Sequence, residues 1–135
     1  MGLMYDEMKK AGADAEAICR KAIKQCGVIH GKGFYKASGG SNDCREFYKV
    51  FLSDTGIKTF EMTPVPEQES LTIDFHYCPL VSAWKKLGFD DETCAILCDI
   101  AMDGDRGIAE ANNLTLELTD TIAKGDETCK LKFHG

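Results

Sequence analysis

Apolar and polar residues recur with a helical period near the start of the chain and with a period of two further on. Between Met4 and Cys26 apolar residues return every three or four positions, which predicts one long amphipathic helix capped by Gly27. The glycines within 30–41 predict a flexible connection. The segment Ser41-Asn-Asp43 can cap a second helix, and its sequence predicts this helix over 44–52 with an aromatic face.

The rest of the chain alternates predicted strands and helices. Apolar residues at every second position predict strands, and caps with helical spacing predict helices. The predicted elements are a strand over 56–65, a strand over 71–78, a helix over 80–87, a helix starting at Asp90, a strand over 114–119 and a strand over 128–134. Two hairpins separated by helices predict a single α+β domain over 1–135, with a four-stranded antiparallel sheet and about four helices packed mainly on one face.

The strand that starts at Leu71 has a chemically unusual polar face. Its predicted inner face is Leu71, Ile73, Phe75 and Tyr77. The other face presents Thr72, Asp74, His76 and Cys78, and Pro79 ends the strand. An acid, an imidazole and a thiol on one face are the groups that a nucleophilic or metal site uses.

The apolar stripe of the helix that starts at Asp90 leads to an acid. Cys94, Leu97, Cys98 and Ala101 form the stripe. The next position on this stripe is Asp105. Asp105 is either at the frayed end of the helix or an inward-pointing polar group, and the first interpretation is preferred. On the neighbouring face Asp99 and Arg106 are spaced for an ordinary surface ion pair.

Composition narrows the classes of function. A formal charge of −6 and a pI near 5.0 argue against a nucleic-acid-binding protein. No apolar run approaches the roughly 20 residues that cross a bilayer, and no secretory signal begins the chain, so we expect a cytoplasmic protein that does not bind membranes. The seven cysteines are odd in number and lack a Cys-x-x-Cys pair, which favours reduced thiols, with Cys19 and Cys26 in the core.

Several short motifs, taken in order, resemble one family. They are Cys78-Pro79 after a strand, Trp84 in the following helix, Cys98 in the next helix, and Gly125-Asp-Glu-Thr-Cys129-Lys-Leu-Lys-Phe133 near the end. In these features, and over most of the chain from Ala17 onward, the sequence resembles the L-2-amino-thiazoline-4-carboxylic acid hydrolase family. The resemblance implies a small-molecule substrate, a cyclic thiazoline that is hydrolysed to N-carbamoyl-L-cysteine.

The implied reaction suggests roles for particular residues. Water must add to the amidine carbon and the ring sulfur must leave, so the site needs a nucleophile, an acid or base, and a cation for the substrate carboxylate. We expect Cys78 to be the nucleophile or to bind the activating group, His76 to be the base and Asp74 to orient it, although same-face neighbours lie about 7 Å apart. The expected substrate-binding residues are Arg106, Cys98, Asp126 and Cys129.

Other interpretations stay open. The polar face of the strand could simply be the outer face of the sheet. The protein could bind a small molecule without turnover, as a sensor that forms a homodimer through that face. It could also hold zinc through His76, Cys78 and Cys98, although nothing in the sequence requires a cofactor.

Overall fold

The computed structural model describes all 135 residues and has six α-helices, a short 3-10 helix and four strands. The helices are α1 Gly2–Lys10, α2 Ala15–Ala37, α3 Cys44–Phe51, α4 Asp54–Thr59, α5 Pro79–Lys86 and α6 Asp91–Ala111. The strands are β1 Met62–Pro66, β2 Ser70–Phe75, β3 Thr115–Asp120 and β4 Cys129–His134, with the 3-10 helix at Ile122–Lys124. None of the helices combines the length and the apolar character that crossing a membrane requires.

The four strands form one antiparallel sheet in the order β1-β2-β4-β3. Each predicted hairpin is present, and the two are joined by pairing of β2 with β4, where Ile73 lies opposite Leu131. Alternation places Leu71, Ile73, Leu131 and Phe133 on the inner face, and all four are almost completely buried. The predicted α+β fold is therefore confirmed, with six helices rather than about four.

Helices α2 and α6 cross along a line of glycines. A Cβ on Gly27 would overlap the carbonyl oxygen of Gly104, and one on Gly107 would lie 2.7 Å from the carbonyl oxygen of Lys24. Gly31 meets α6 in the same way, since its Cβ would lie 2.8 Å from the Cα of Ile108. The predicted helix end at Gly27 is therefore wrong, and so is the predicted flexible connection over 30–41 as far as Ala37, where α2 ends. Gly27 and Gly31 permit close helix packing rather than ending a helix.

Local caps explain two further differences. The predicted first helix is split, because Gly12 has a φ of 78° and the Asp14 side chain caps α2 by accepting from the Ala17 N–H at 3.3 Å. The predicted strand over 56–65 begins as helix α4, since Ser53 Oγ accepts from the Gly56 N–H at 3.0 Å.

The core consists of two clusters that meet along α6. One cluster packs α1, α2 and α5 against the first half of α6, and the other packs α3 and the sheet against its second half. Because α6 runs to Ala111, Asp105 lies in the interior of the helix, and the preferred interpretation of a frayed end is wrong. Of the two cysteines predicted in the core on α2, Cys19 is buried and Cys26 is exposed.

Candidate active site

A small cavity lies between the sheet and helices α5 and α6. Its volume is about 30 Å³. A water molecule needs about 10–15 Å³ or more by the same kind of measure, so the cavity can hold a water. Three thiols, those of Cys78, Cys98 and Cys129, line it together with the Thr121 side chain. The remaining walls are apolar and include Phe60, Phe75, Trp84, Met102 and Leu118.

The three cysteines reach the cavity from three elements. Cys78 is the residue that precedes the first turn of α5, and Pro79 opens that helix. Cys98 lies on the buried stripe of α6. Cys129 begins β4 directly opposite Phe75 of β2, so the pairing of two strands fixes its position. None of the seven cysteines forms a disulfide in the structure.

The predicted alignment of Cys78 with His76 on one strand face does not occur. Strand β2 ends at Phe75, and the next two backbone N–H groups donate to the residues just before β1, that of His76 to the Glu61 carbonyl at 3.1 Å and that of Tyr77 to the Phe60 carbonyl at 3.2 Å. Cys78 therefore lines the cavity on the side of Phe75, while Tyr77, predicted to be inward, is exposed. The two-residue period fails here because the strand ends before Cys78.

His76 and Asp74 lie away from the cavity. The His76 ring is exposed, and its Nε2 is 2.9 Å from Thr63 Oγ1 on β1. Asp74 is paired across the sheet with Thr63 on one side and Lys130 on the other. The structure therefore does not assemble Cys78, His76 and Asp74 into one hydrogen-bonded group.

Burial distinguishes the three cavity thiols. Burial, with smaller effects from the thiols of Cys129 and Cys78, raises the pKa of Cys98 to about 12. Burial also raises the pKa of Cys129, although the Ile122 N–H donates to its Sγ at 3.2 Å and opposes the shift. Both thiols therefore stay protonated at neutral pH. Cys78 is only half-buried and lies at the N-terminus of α5, whose dipole favours negative charge.

The Gly125-Asp126 motif builds the turn beside the cavity. Asp126 Oδ2 accepts from the Thr121 N–H at 2.9 Å, and the Asp126 N–H donates to the Thr121 carbonyl at 3.1 Å. Gly125 has a φ of 97°, which favours glycine. Asp126 is itself exposed and does not line the cavity, so its contacts position Thr121 and the following residues rather than a ligand.

Sequence reasoning did not identify Thr121. Its side chain is 5 % exposed, and its Oγ1 has no hydrogen-bond partner although it is buried. A buried hydroxyl without a partner is costly, which makes it a candidate for contact with a bound molecule. Thr121 lies two residues beyond the predicted strand over 114–119, where threonine is common, so its residue type gave no signal.

Arg106 belongs to an ion-pair cluster between α2 and α6. Its guanidinium donates to Asp103 Oδ1 at 2.6 Å and to Asp99 Oδ1 at 2.8 Å, and Arg20 contacts the same two acids. The predicted Asp99–Arg106 contact is confirmed, but within a half-buried cluster rather than as an isolated surface pair. Arg106 does not line the cavity.

The predicted metal ligands are not brought together. Cys78 and Cys98 share the cavity, but His76 lies outside it and bonds to Thr63. No group of three or more His, Cys, Asp or Glu side chains in the structure is arranged to hold a metal ion.

The sequence profile of one family matches nearly the whole chain. The profile is that of L-2-amino-thiazoline-4-carboxylic acid hydrolase, and it matches residues 1–133. No curated protein matches the sequence. The family name points to a hydrolase-like function, and the matched region contains every residue of the cavity. The chain therefore belongs to the L-2-amino-thiazoline-4-carboxylic acid hydrolase family.

Proposed function

We propose that this protein opens the ring of L-2-amino-thiazoline-4-carboxylate, or of a related cyclic amidine, with Cys78 as the nucleophile. The observation that carries the proposal is the convergence of three thiols and the unpartnered Thr121 hydroxyl on one cavity. Membership of the family supports the choice of substrate class.

Cys78 is the best nucleophile of the three cysteines. The raised pKa of Cys98 and that of Cys129 keep those thiols protonated, and a thiolate is the reactive form. Cys78 is less buried and lies at a helix N-terminus, where negative charge is favoured. This role requires a reduced thiol, as the cytoplasm would maintain.

The proposed reaction has two steps. In the first, Cys78 Sγ bonds to the amidine carbon and the bond from that carbon to the ring sulfur breaks. The thiol proton passes through the amidine nitrogen to the ring sulfur, which leaves an open isothiourea attached to Cys78. In the second, water adds to the same carbon and the bond to Cys78 Sγ breaks. One proton of the water goes to the imino nitrogen and the other returns to Cys78, which releases N-carbamoyl-L-cysteine.

Substrate entry requires movement at the mouth of the cavity. A thiazoline ring with its carboxylate is larger than a volume of about 30 Å³. Leu80 lines the cavity and is 43 % exposed, so its side chain can move aside at low cost. No cation lines the cavity, and we assign the substrate carboxylate to the exposed Lys124, whose charge acts on the neighbouring Cys98.

The test is a direct assay of ring opening by mass spectrometry of the product. We expect the unmodified protein to form the carbamoyl product and Cys78→Ser to lose at least about a hundredfold in kcat, since Cys78 Sγ forms the bond to the amidine carbon and a serine hydroxyl is a much weaker nucleophile at neutral pH. Cys26→Ser is the matched control, because Cys26 is an exposed thiol on α2 that does not line the cavity. Unchanged turnover in Cys78→Ser would exclude its role, and no turnover by the unmodified protein would exclude the hydrolase.

A second candidate function is binding without turnover. It is favoured by the cavity walls, which contain no histidine, carboxylate or amine and only one hydroxyl. In that case calorimetry would show saturable binding of the thiazoline, and the bound compound would be recovered unchanged.

A further inference from the structure

One acid of α6 lies where an apolar residue is expected. Asp105 falls on the same stripe as Cys98, two turns before it, and Asn112, two turns after it, and both of these are buried. Its nearest neighbours on the stripe include Ala109, which packs with the inner face of the sheet. Asp105 therefore points toward the core rather than toward solvent.

The Asp105 carboxyl has no partner. The Asn112 amide on the same stripe donates to the carbonyls of Gly31 and Ile108 at 3.0 and 2.8 Å. Asp99 and Asp103 on the adjacent face are paired with arginines. Asp105 makes no side-chain hydrogen bond and no ion pair, even though Arg106 is its neighbour in the chain, because that guanidinium is turned to Asp99 and Asp103.

Asp105 does not itself line the cavity, but it lies one helical turn from two residues of α6 that do. Side chains on a helix lean toward its N-terminus, so Asp105 lies over the preceding turn, which contains Ala101 and Met102. Both of those residues line the cavity, as does Cys98 one turn further on. The Asp105 side chain is half-buried and is not sealed from solvent, so water has access to it.

The electrostatics suit proton exchange at neutral pH. Burial, only partly opposed by the charge of Arg106, raises the pKa of Asp105 to about 7. Arg106 is the charged group that acts on this carboxyl. On the packed helix α2, Arg20 is paired with Asp99 and Asp103, and Lys24 is paired with Glu110.

The proposed two-step reaction leaves one role unfilled. The second step needs a base to take a proton from water, and neither His76 nor any residue that lines the cavity can supply one. We infer that Asp105 is this base: its carboxylate takes a proton from the attacking water and gives it to the imino nitrogen of the isothiourea bound to Cys78. The inference rests on the proposed hydrolase function.

Asp105→Asn tests the inference, because it keeps the shape of the side chain and removes the base. Without the base, the second step is slow and the isothiourea on Cys78 accumulates. This adduct carries the mass of one whole substrate, because the first step releases no fragment. We expect kcat to fall by roughly 10²- to 10⁴-fold. Peptide mass spectrometry should then find the adduct on Cys78. Glu110→Gln is the control, since Glu110 is an exposed acid on the same helix.

The unmodified protein offers a second measurement that does not depend on the variant folding. Below about pH 6 its Asp105 is mostly protonated, so the same adduct should accumulate there and disappear near pH 8. Turnover of Asp105→Asn near the normal rate, or loss of turnover in the folded variant without the adduct, would overturn the inference alone. Absence of turnover in the unmodified protein would overturn the proposed function as well.

Discussion

Two acids on α6 show how placement decides the charge of a side chain. Burial opposes ionisation of Asp99, but hydrogen bonds from Arg106 and Arg20 outweigh it and lower the pKa of Asp99. Asp105 experiences burial without any such partner, and its pKa is raised. Asp99 is therefore a fixed anion that binds two helices together, whereas Asp105 can change its charge near neutral pH.

The raised pKa of Asp105 makes stability depend on pH. The folded chain keeps this proton up to about pH 7, while the unfolded chain loses it near its ordinary pKa of 3.8, so folding stability falls as pH rises between these values. We expect Asp105→Asn to be more stable than the unmodified protein at pH 8, on the order of 4 kcal/mol, and to differ little at pH 4. Urea unfolding at both pH values measures this, and an equal difference at both would contradict it.

At the scale of elements, the crossing of α2 and α6 fixes the frame of the site. Glycine is a poor helix former, costing about 1 kcal/mol relative to alanine in a helix interior. The cost of Gly27 and Gly31 is offset by the close approach to α6 that they allow, and the Asn112 amide adds a buried hydrogen bond to the Gly31 carbonyl. Helix α6 carries Cys98 and Asp105, so a shift at this crossing would move both.

Two glycines of α2 provide a matched pair of substitutions. A Cβ at position 27 would meet the backbone of Gly104, whereas nothing lies within 4 Å of a Cβ at position 33. We expect Gly27→Ala to destabilise the protein by about 3 kcal/mol and Gly33→Ala to stabilise it by up to about 1 kcal/mol. Chemical unfolding of both variants tests the pair, and similar effects from the two would show that the crossing does not depend on glycine.

Local signals in the sequence predicted the elements that depend on neighbours in the chain. The hairpins, α3 and α5 follow from alternation and caps, and each is found close to its predicted place except β1, whose predicted first residues belong to α4. The continuation of α2 past Gly27 could not be predicted, because its partner Gly104 is distant in sequence. The same limit applies to the site: Cys78, Cys98 and Cys129 were candidates individually, but only the fold shows that they share a cavity without His76.

At the scale of the whole molecule, the cavity lies where the two core clusters meet. Cys78, Cys98 and Trp84 belong to or pack on the first cluster, whereas Met102 and Cys129 belong to or pack on the second. A molecule bound there touches both halves of the core. A ligand bound in the cavity should therefore stabilise the whole domain against unfolding, and not only one loop.

Ligand binding should be visible in global unfolding and in fluorescence. With Cys78→Ser and the thiazoline at a hundred times its Kd, we expect about 2.7 kcal/mol of added stability. The emission of Trp84, the single tryptophan, should change with the same Kd because it lines the cavity. A thermal scan and a fluorescence titration check this. An unchanged Tm at saturating ligand would show that the thiazoline binds elsewhere or not at all.

The glycine crossing also sets an order of events during synthesis. Gly31 and Asn112, which are joined across it by a hydrogen bond, are separated by 81 positions in the chain. Helix α2 emerges from the ribosome long before α6 exists, and its glycines weaken it as an isolated helix. The crossing therefore closes only after most of the chain has been translated, and the cavity with its thiols forms at the same late stage.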